Sequence, residues 1–322
     1  MNQGVTMVNN LGNLASMLLG LVVVLSVLVL AIVGLGVFLV QWFKFKNREE
    51  VSLRFVVMQV AVPRDNEVKI EAMEQVFASL YSIKRGGFWQ KFNAQQHLSL
   101  EIIAKKEEIK FYVACHVDLA SLVEKQIAAA YPGAEVRVVE EPNIFSEEGK
   151  VEFAQLALRD KSYMPMKSFK DLATDPLNLL TTTLSKMGDG EAAAVQMTIS
   201  PADSEWSKVG KAFLSGTKKA EADPEKAKFK MSPEDMQAID AKVGKPGFVT
   251  TIRLVSVAPT TLQAKANLDN IKGAFSQFNS DLNGLGGAKI GWKRMFMIDF
   301  IYRYQSMWGQ NSILSSDELA TI

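Results

Sequence analysis

The sequence predicts an α+β protein held by one transmembrane helix, and three observations predict it. No charged residue precedes Lys44. From Val51 onward, runs rich in β-branched and aromatic residues alternate with segments of helical period. One cysteine and two histidines exclude a disulfide framework and fall short of a His/Cys metal cluster. At 322 residues the chain has room for an anchor and two ordinary domains. Its net charge of +1 gives no global electrostatic case for nucleic-acid binding.

Residues 1–16 form a short N-terminal segment, followed by a membrane helix over 17–43. About 20 apolar residues cross a bilayer core, and this stretch supplies them without interruption. A cleaved signal peptide would need a positive start and a shorter apolar core. Trp42 and Phe43 sit where interfacial aromatics belong, and Lys44, Lys46 and Arg48 follow them. Those cations predict a cytoplasmic body and an N-terminus outside, with the helix in the cytoplasmic membrane.

The first soluble domain spans 51–142. Residues 51–62 read as a strand. Ile70, Met73, Val76, Phe77, Leu80 and Ile83 trace a helix, stopped by Gly86-Gly87. Two strands follow over 97–104 and 109–116, around a charged turn. Asp118 is the expected N-cap of a second helix, and residues 134–139 a fourth strand. Strand, helix, strand, strand, helix, strand is the split βαβ, ferredoxin-like order. Cys115 lies in an apolar strand run and reads as a buried thiol.

The second domain spans 150–311. Strands are expected at 151–158, 192–199, 248–257 and 295–303. Helices are expected at 177–187, after Asp203, and over 260–282. This is a second ferredoxin-like layer, elaborated by an insertion at 215–246. The insertion's seven lysines nearly balance its six acids, so it reads as a solvated excursion. Ser232 and Pro233 mark one short helix within it. Residues 312–322 are a linker or the start of a helix, since Ser315 and Glu318 have capping-box spacing.

Chemical motifs are sparse. Neither a P-loop nor a dinucleotide fingerprint occurs. Gly284, Gly286 and Gly287 before Lys289 follow a helix, not a strand, and read as a cap and turn. No serine elbow is present, and the carboxylate pairs read as caps. No catalytic, cofactor or metal residue is therefore expected, and the chain reads as non-enzymatic. One loop mixes cations and aromatics: Lys84, Arg85, Phe88, Trp89 and Lys91. Such loops grip single-stranded nucleic acid by charge and stacking, or a partner protein. The competing reading packs the rings on the domain and leaves the cations wet.

A resemblance adds to this. Leu158-Arg159-Asp160-Lys161-Ser162-Tyr163-Met164-Pro165 is followed by Asp175-Pro176-Leu177. Leu180-Thr181-Thr182-Thr183-Leu184-Ser185-Lys186-Met187 precedes Gly190-Glu191, and Gln196-Met197-Thr198-Ile199-Ser200-Pro201 precedes Trp206. These runs resemble the N-terminal region of conjugation-type, type IV secretion-like ATPases of the HerA/FtsK/TraG class from candidate-phylum bacteria. The segment 314–321 resembles the lead-in to their motor. The resemblance implies a membrane-anchored scaffold that oligomerises and positions a ring ATPase, in cis or in trans, for DNA transfer. It carries over no ATPase residue, because the motor motifs are missing. The alternative is a membrane-tethered module that binds single-stranded DNA or a substrate protein.

Overall fold

The computed structural model describes residues 2–46, 48–63, 66–84, 86, 96–221, 231–305 and 311–322. The apolar N-terminal segment is one helix, α1 (Asn2–Phe45). Its stretch Ala15–Val40 is long and apolar enough to cross a membrane, and none of it is buried within the chain. A backbone in lipid must close its own hydrogen bonds, which a continuous helix does. α1 and the body that follows are two separate compact units.

The body begins with α2 (Arg48–Leu53) and β1 (Phe55–Ala61), then α3 (Glu71–Leu80), β2 (Leu98–Lys105) and β3 (Glu108–His116). α4 (Val117–Ala130) and β4 (Glu135–Val139) complete the first half. The second half contains β5 (Lys150–Leu158), α5 (Pro176–Leu184), β6 (Ala192–Pro201), α6 (Glu205–Glu221) and α7 (Pro233–Val243). It continues with β7 (Gly247–Ala258), α8 (Thr261–Ala274), β8 (Leu285–Gly287) and α9 (Lys293–Ile301). β9 (Ser312–Ser315) and α10 (Ser316–Thr321) follow.

The nine strands among the described residues form one antiparallel sheet, in the order β4-β1-β3-β2-β6-β7-β5-β8 with β9 beside β7. The halves join where β2 pairs β6 over eight residues, Leu98 opposite Ile199 through Lys105 opposite Ala192. β9 pairs β7 from Gly247 to Thr250, beyond the point where β5 leaves it. One face of the sheet packs α3, α4, α5, α8 and α10 through Phe77, Val123, Leu184, Ile271 and Leu319. Complete burial of such side chains contributes about 1.5–3 kcal/mol each. The opposite face meets α9 through Phe296 and Phe300. α6 and α7 pack on each other around Leu214, Ile239 and Val243. Gly247 allows this arrangement: a Cβ there would meet the Trp206 ring at 2.4 Å.

Several local expectations need correction. Residues 295–303 are not a strand. They are mostly α9, whose buried Phe296, Asp299 and Phe300 recur at helical spacing. The short apolar run fits either period, and contact with the sheet decides it. The fourth strand of the second half is β8, in the glycine segment read as a turn. The N-cap of α4 is His116, whose Nδ1 accepts from the Asp118 amide at 3.3 Å; Asp118 sits in the first turn. The insertion is not wholly solvated, because α7 buries Ile239, Lys242 and Val243. Ser232 does cap α7, and Asp175 caps α5.

Candidate functional site

Alternating side chains and sheet register together place one polar residue per strand in a line. Gln59 stands opposite Tyr112, Tyr112 opposite Glu101, Glu101 opposite Gln196, Gln196 opposite Arg253, and Arg253 opposite Gln155. The row crosses six strands on the face that carries α9. Glu101, Gln196, Arg253 and Gln155 are buried. Buried polar groups must be paired, and these are. Gln196 Nε2 donates to Glu101 Oε1 at 3.0 Å and to the Phe300 carbonyl at 2.9 Å. Arg253 donates to Gln196 Oε1 at 2.9 Å and to the Tyr304 carbonyl at 2.6 Å.

The segment after α9 closes the row. Arg303, at φ 56°, forks onto both Glu101 oxygens at 2.8 and 3.2 Å and onto Glu141 at 2.6 Å. His97 Nε2 lies 2.9 Å from the Arg303 carbonyl. Burial pulls the Arg303 guanidinium down, but Glu101 and Glu141 outweigh burial and hold it above its ordinary value. Arg253 is pulled down by burial, against Asp299 and Glu101. It remains a cation at neutral pH. The row's charges are therefore spent on the chain itself. They fasten residues 299–304 to the sheet.

At its β1 end the row opens into a depression of about 330 Å³, lined by Gln59, Ile103, Lys105, Lys110, Tyr112 and Val139 among others. Lys110 is paired with Glu108 at 2.7 Å, which raises its pKa. Burial raises the Tyr112 hydroxyl above its usual value. Glu108 and Glu140 also line the depression, so its cations are balanced there. Among the described residues no group of three or more His, Cys, Asp or Glu is placed to hold a metal ion. A second buried pair, Lys242 and Glu318 at 2.9 Å, joins α7 to α10. Glu318 also accepts from the Met166 and Ser315 amides.

Of the cation–aromatic loop, Lys84 alone is described. Its ammonium donates to the Tyr81 hydroxyl at 3.2 Å and the Ala202 carbonyl at 3.0 Å, and lies 3.5 Å from Asp203. That ammonium is occupied within the fold. Arg85, Phe88, Trp89 and Lys91 lie outside the described residues. At the end of α1, Trp42 and Phe43 are exposed, and Trp42 stacks near Phe38 with ring centres 6.2 Å apart. Lys46 is exposed and Arg48 half-buried; the Lys44 side chain lies outside the described residues. Sequence reasoning missed the polar row altogether. Its one signal is a charged or amide residue inside otherwise apolar strands: Glu101, Gln196 and Arg253.

No curated protein sequence matches the chain. Among solved structures, aclacinomycin oxidoreductase is 14% identical, with 70% of this chain and 41% of that one covered, at a TM-score of 0.33. A glycopeptide hexose oxidase solved with teicoplanin is 11% identical over the same shares, also at 0.33. A berberine bridge enzyme variant, described as a reticuline dehydrogenase, is 9% identical at 0.28. The chain thus spans less than half the length of these proteins. Because these structures are enzymes, the expectation of a non-enzymatic chain is withdrawn. Likeness at this level assigns no activity in its place. Residues 46–284 match the family described as "Domain of unknown function (DUF8128)", and the chain belongs to that family.

Proposed function

We propose that this chain is a membrane-anchored assembly module of a conjugative or type IV secretion-like transfer machine, holding a ring ATPase at the membrane. The observation that carries this reading is the pairing of a membrane-length helix with a clasped body whose sheet ends in open edges. α2 starts within a few residues of the end of α1, so little free chain separates anchor from body. At one edge, β4 pairs with β1 alone among the described residues. Val138 on that strand is 69% exposed. An unpaired edge is a template for strand addition, and in an oligomer it is covered.

The strand order β4-β1-β3-β2, mirrored as β8-β5-β7-β6, supports reading each half as a ferredoxin-like layer. The link to transfer machines rests on the resemblance of residues 158–206 to the N-terminal regions of HerA/FtsK/TraG-class ATPases. The cations after α1 support a cytoplasmic body in the inner membrane.

The mass of the detergent-solubilised chain, measured by light scattering with and without a co-expressed ring ATPase, tests the proposal. A ring-sized particle in either condition is the expected result. A strict monomer in both would remove the assembly function.

A further inference from the structure

We infer that the outward face of α9 and the turn before it dock on an anionic bilayer surface. This rests on the membrane-anchor part of the reading above, not on the transfer machine. α9 is apolar on two sides, which a helix lying on one sheet does not require. Phe296, Asp299 and Phe300 face the sheet. Arg294, Ile298 and Ile301 fall on the opposite side, at spacings of four and three. Ile301 is 46% exposed, and Trp292, at the start of the helix, is 78% exposed.

Around Trp292 stand Lys289, Lys293 and Arg294, all exposed and without an ion-pair partner among the described residues. A nearly neutral chain therefore carries a local patch of three cations around an exposed indole and an exposed isoleucine. Tryptophan prefers the headgroup level of a bilayer, and cations beside it are drawn to anionic lipid.

Within the body, one contact ties α2 to the end of α9. The Ser52 hydroxyl, on α2, donates to the Tyr302 carbonyl at the end of α9 at 2.5 Å. Only a few residues separate Ser52 from α1, and α9 is about 14 Å long. Val51 and Leu53, flanking Ser52, are exposed too, Leu53 at 73%. With Ser52 bonded to Tyr302, they add exposed apolar surface beside the end of α9.

The test uses the full chain reconstituted in vesicles, with an environment-sensitive fluorophore on a single introduced cysteine. Gly291→Cys suits this, because a Cβ at Gly291 meets nothing within 4 Å. Gly216→Cys on α6 is equally open and serves as the remote control. The native Cys115 does not compete: it is buried, and burial pushes its thiol up to about 12.

The expected result is a blue shift, with quenching by lipid-borne quenchers, at position 291 in phosphatidylglycerol-containing vesicles but not in phosphatidylcholine alone. Position 216 should not respond. About 1 M salt, where the screening length falls to about 3 Å, should abolish the shift. So should the combined Lys289→Glu, Lys293→Glu and Arg294→Glu substitutions. Equal signals in both lipids would overturn the inference. A response to single-stranded oligonucleotide, with none to anionic lipid, would overturn it in favour of nucleic acid. Release of the chain from vesicles by alkaline extraction would remove the anchor, and this surface with it. A monomeric mass in detergent would sink the assembly function and leave this result standing.

Discussion

The two halves of the sheet share a strand order and differ in their cover. In the first half, β1 and β4 are only partly buried, and the face away from α3 and α4 opens at Gln59, Lys105 and Lys110. In the second half, β6 is buried at every position and β7 at all but one. Part of that difference is position, since β4 lies at an edge and β6 and β7 in the middle, and part is α9, whose Phe296 and Phe300 cluster with Ala192, Ala194, Val255 and Val257. A strand covered on both faces cannot hand its polar side chains to water. Each must find a protein partner or cost several kcal/mol. The row shows both regimes within one line of residues: Gln59 reaches the open depression, whereas Gln196 and Arg253 are fully engaged.

The comparison can be broken most directly at the point where the halves meet. Glu101→Ala takes the buried carboxylate from Arg303 and Gln196, leaving Arg303 with Glu141 and Gln196 with the Phe300 carbonyl. Loss of one partner from a buried pair costs about 3–5 kcal/mol. Denaturant unfolding of the solubilised chain measures it, and a loss below about 1 kcal/mol would mean the row carries little. Gly190→Ala should cost less, about 1–2 kcal/mol, because Gly190 enters β6 at φ 72°. A Cβ there would also sit 3.3 Å from Pro259. Lys105→Ala in the open half should change stability by no more than about 0.5 kcal/mol, as for any exposed side chain. An effect as large as that of Glu101→Ala would erase the distinction between the halves.

Local pattern made much of this architecture legible. The long apolar N-terminal helix, β1 to β7, α3, α4 and α8 follow from period and composition, and α5 and α7 also from their N-caps at Asp175 and Ser232. What local pattern could not carry was pairing. Glu101 meets Gln196, and Gln196 meets Arg253, across long stretches of intervening chain. No short-range signal distinguishes one continuous sheet from two. β8 was hidden because Leu285-Gly286-Gly287 has the composition of a turn and is a strand only through its pairing with β5. Residues 295–303 were hidden for the opposite reason. Apolar residues occur on both sides of α9, so its period is blurred. The same blurring marks the outward face assigned above to the bilayer surface.

The smallest expected effect concerns the far end of the second half, where α10 is held by charge. The Lys245 ammonium lies 2.8 Å from Asp317 and 2.8 Å from Glu74 on α3. Burial alone would raise the Asp317 carboxyl, but Lys245 outweighs it and holds the group below its ordinary 3.8. A carboxylate depressed on folding adds stability that is complete above its unfolded pKa and lost as pH falls through the folded one. The window therefore opens below about pH 4. Amide-exchange protection of α10 should fall in that window in the native chain. Asp317→Asn, which cannot titrate at that position, should start lower and fall less steeply through it. Parallel acid curves for the two would mean that α10 is held by the buried Lys242–Glu318 pair and by Leu319, with Lys245 contributing nothing to its docking.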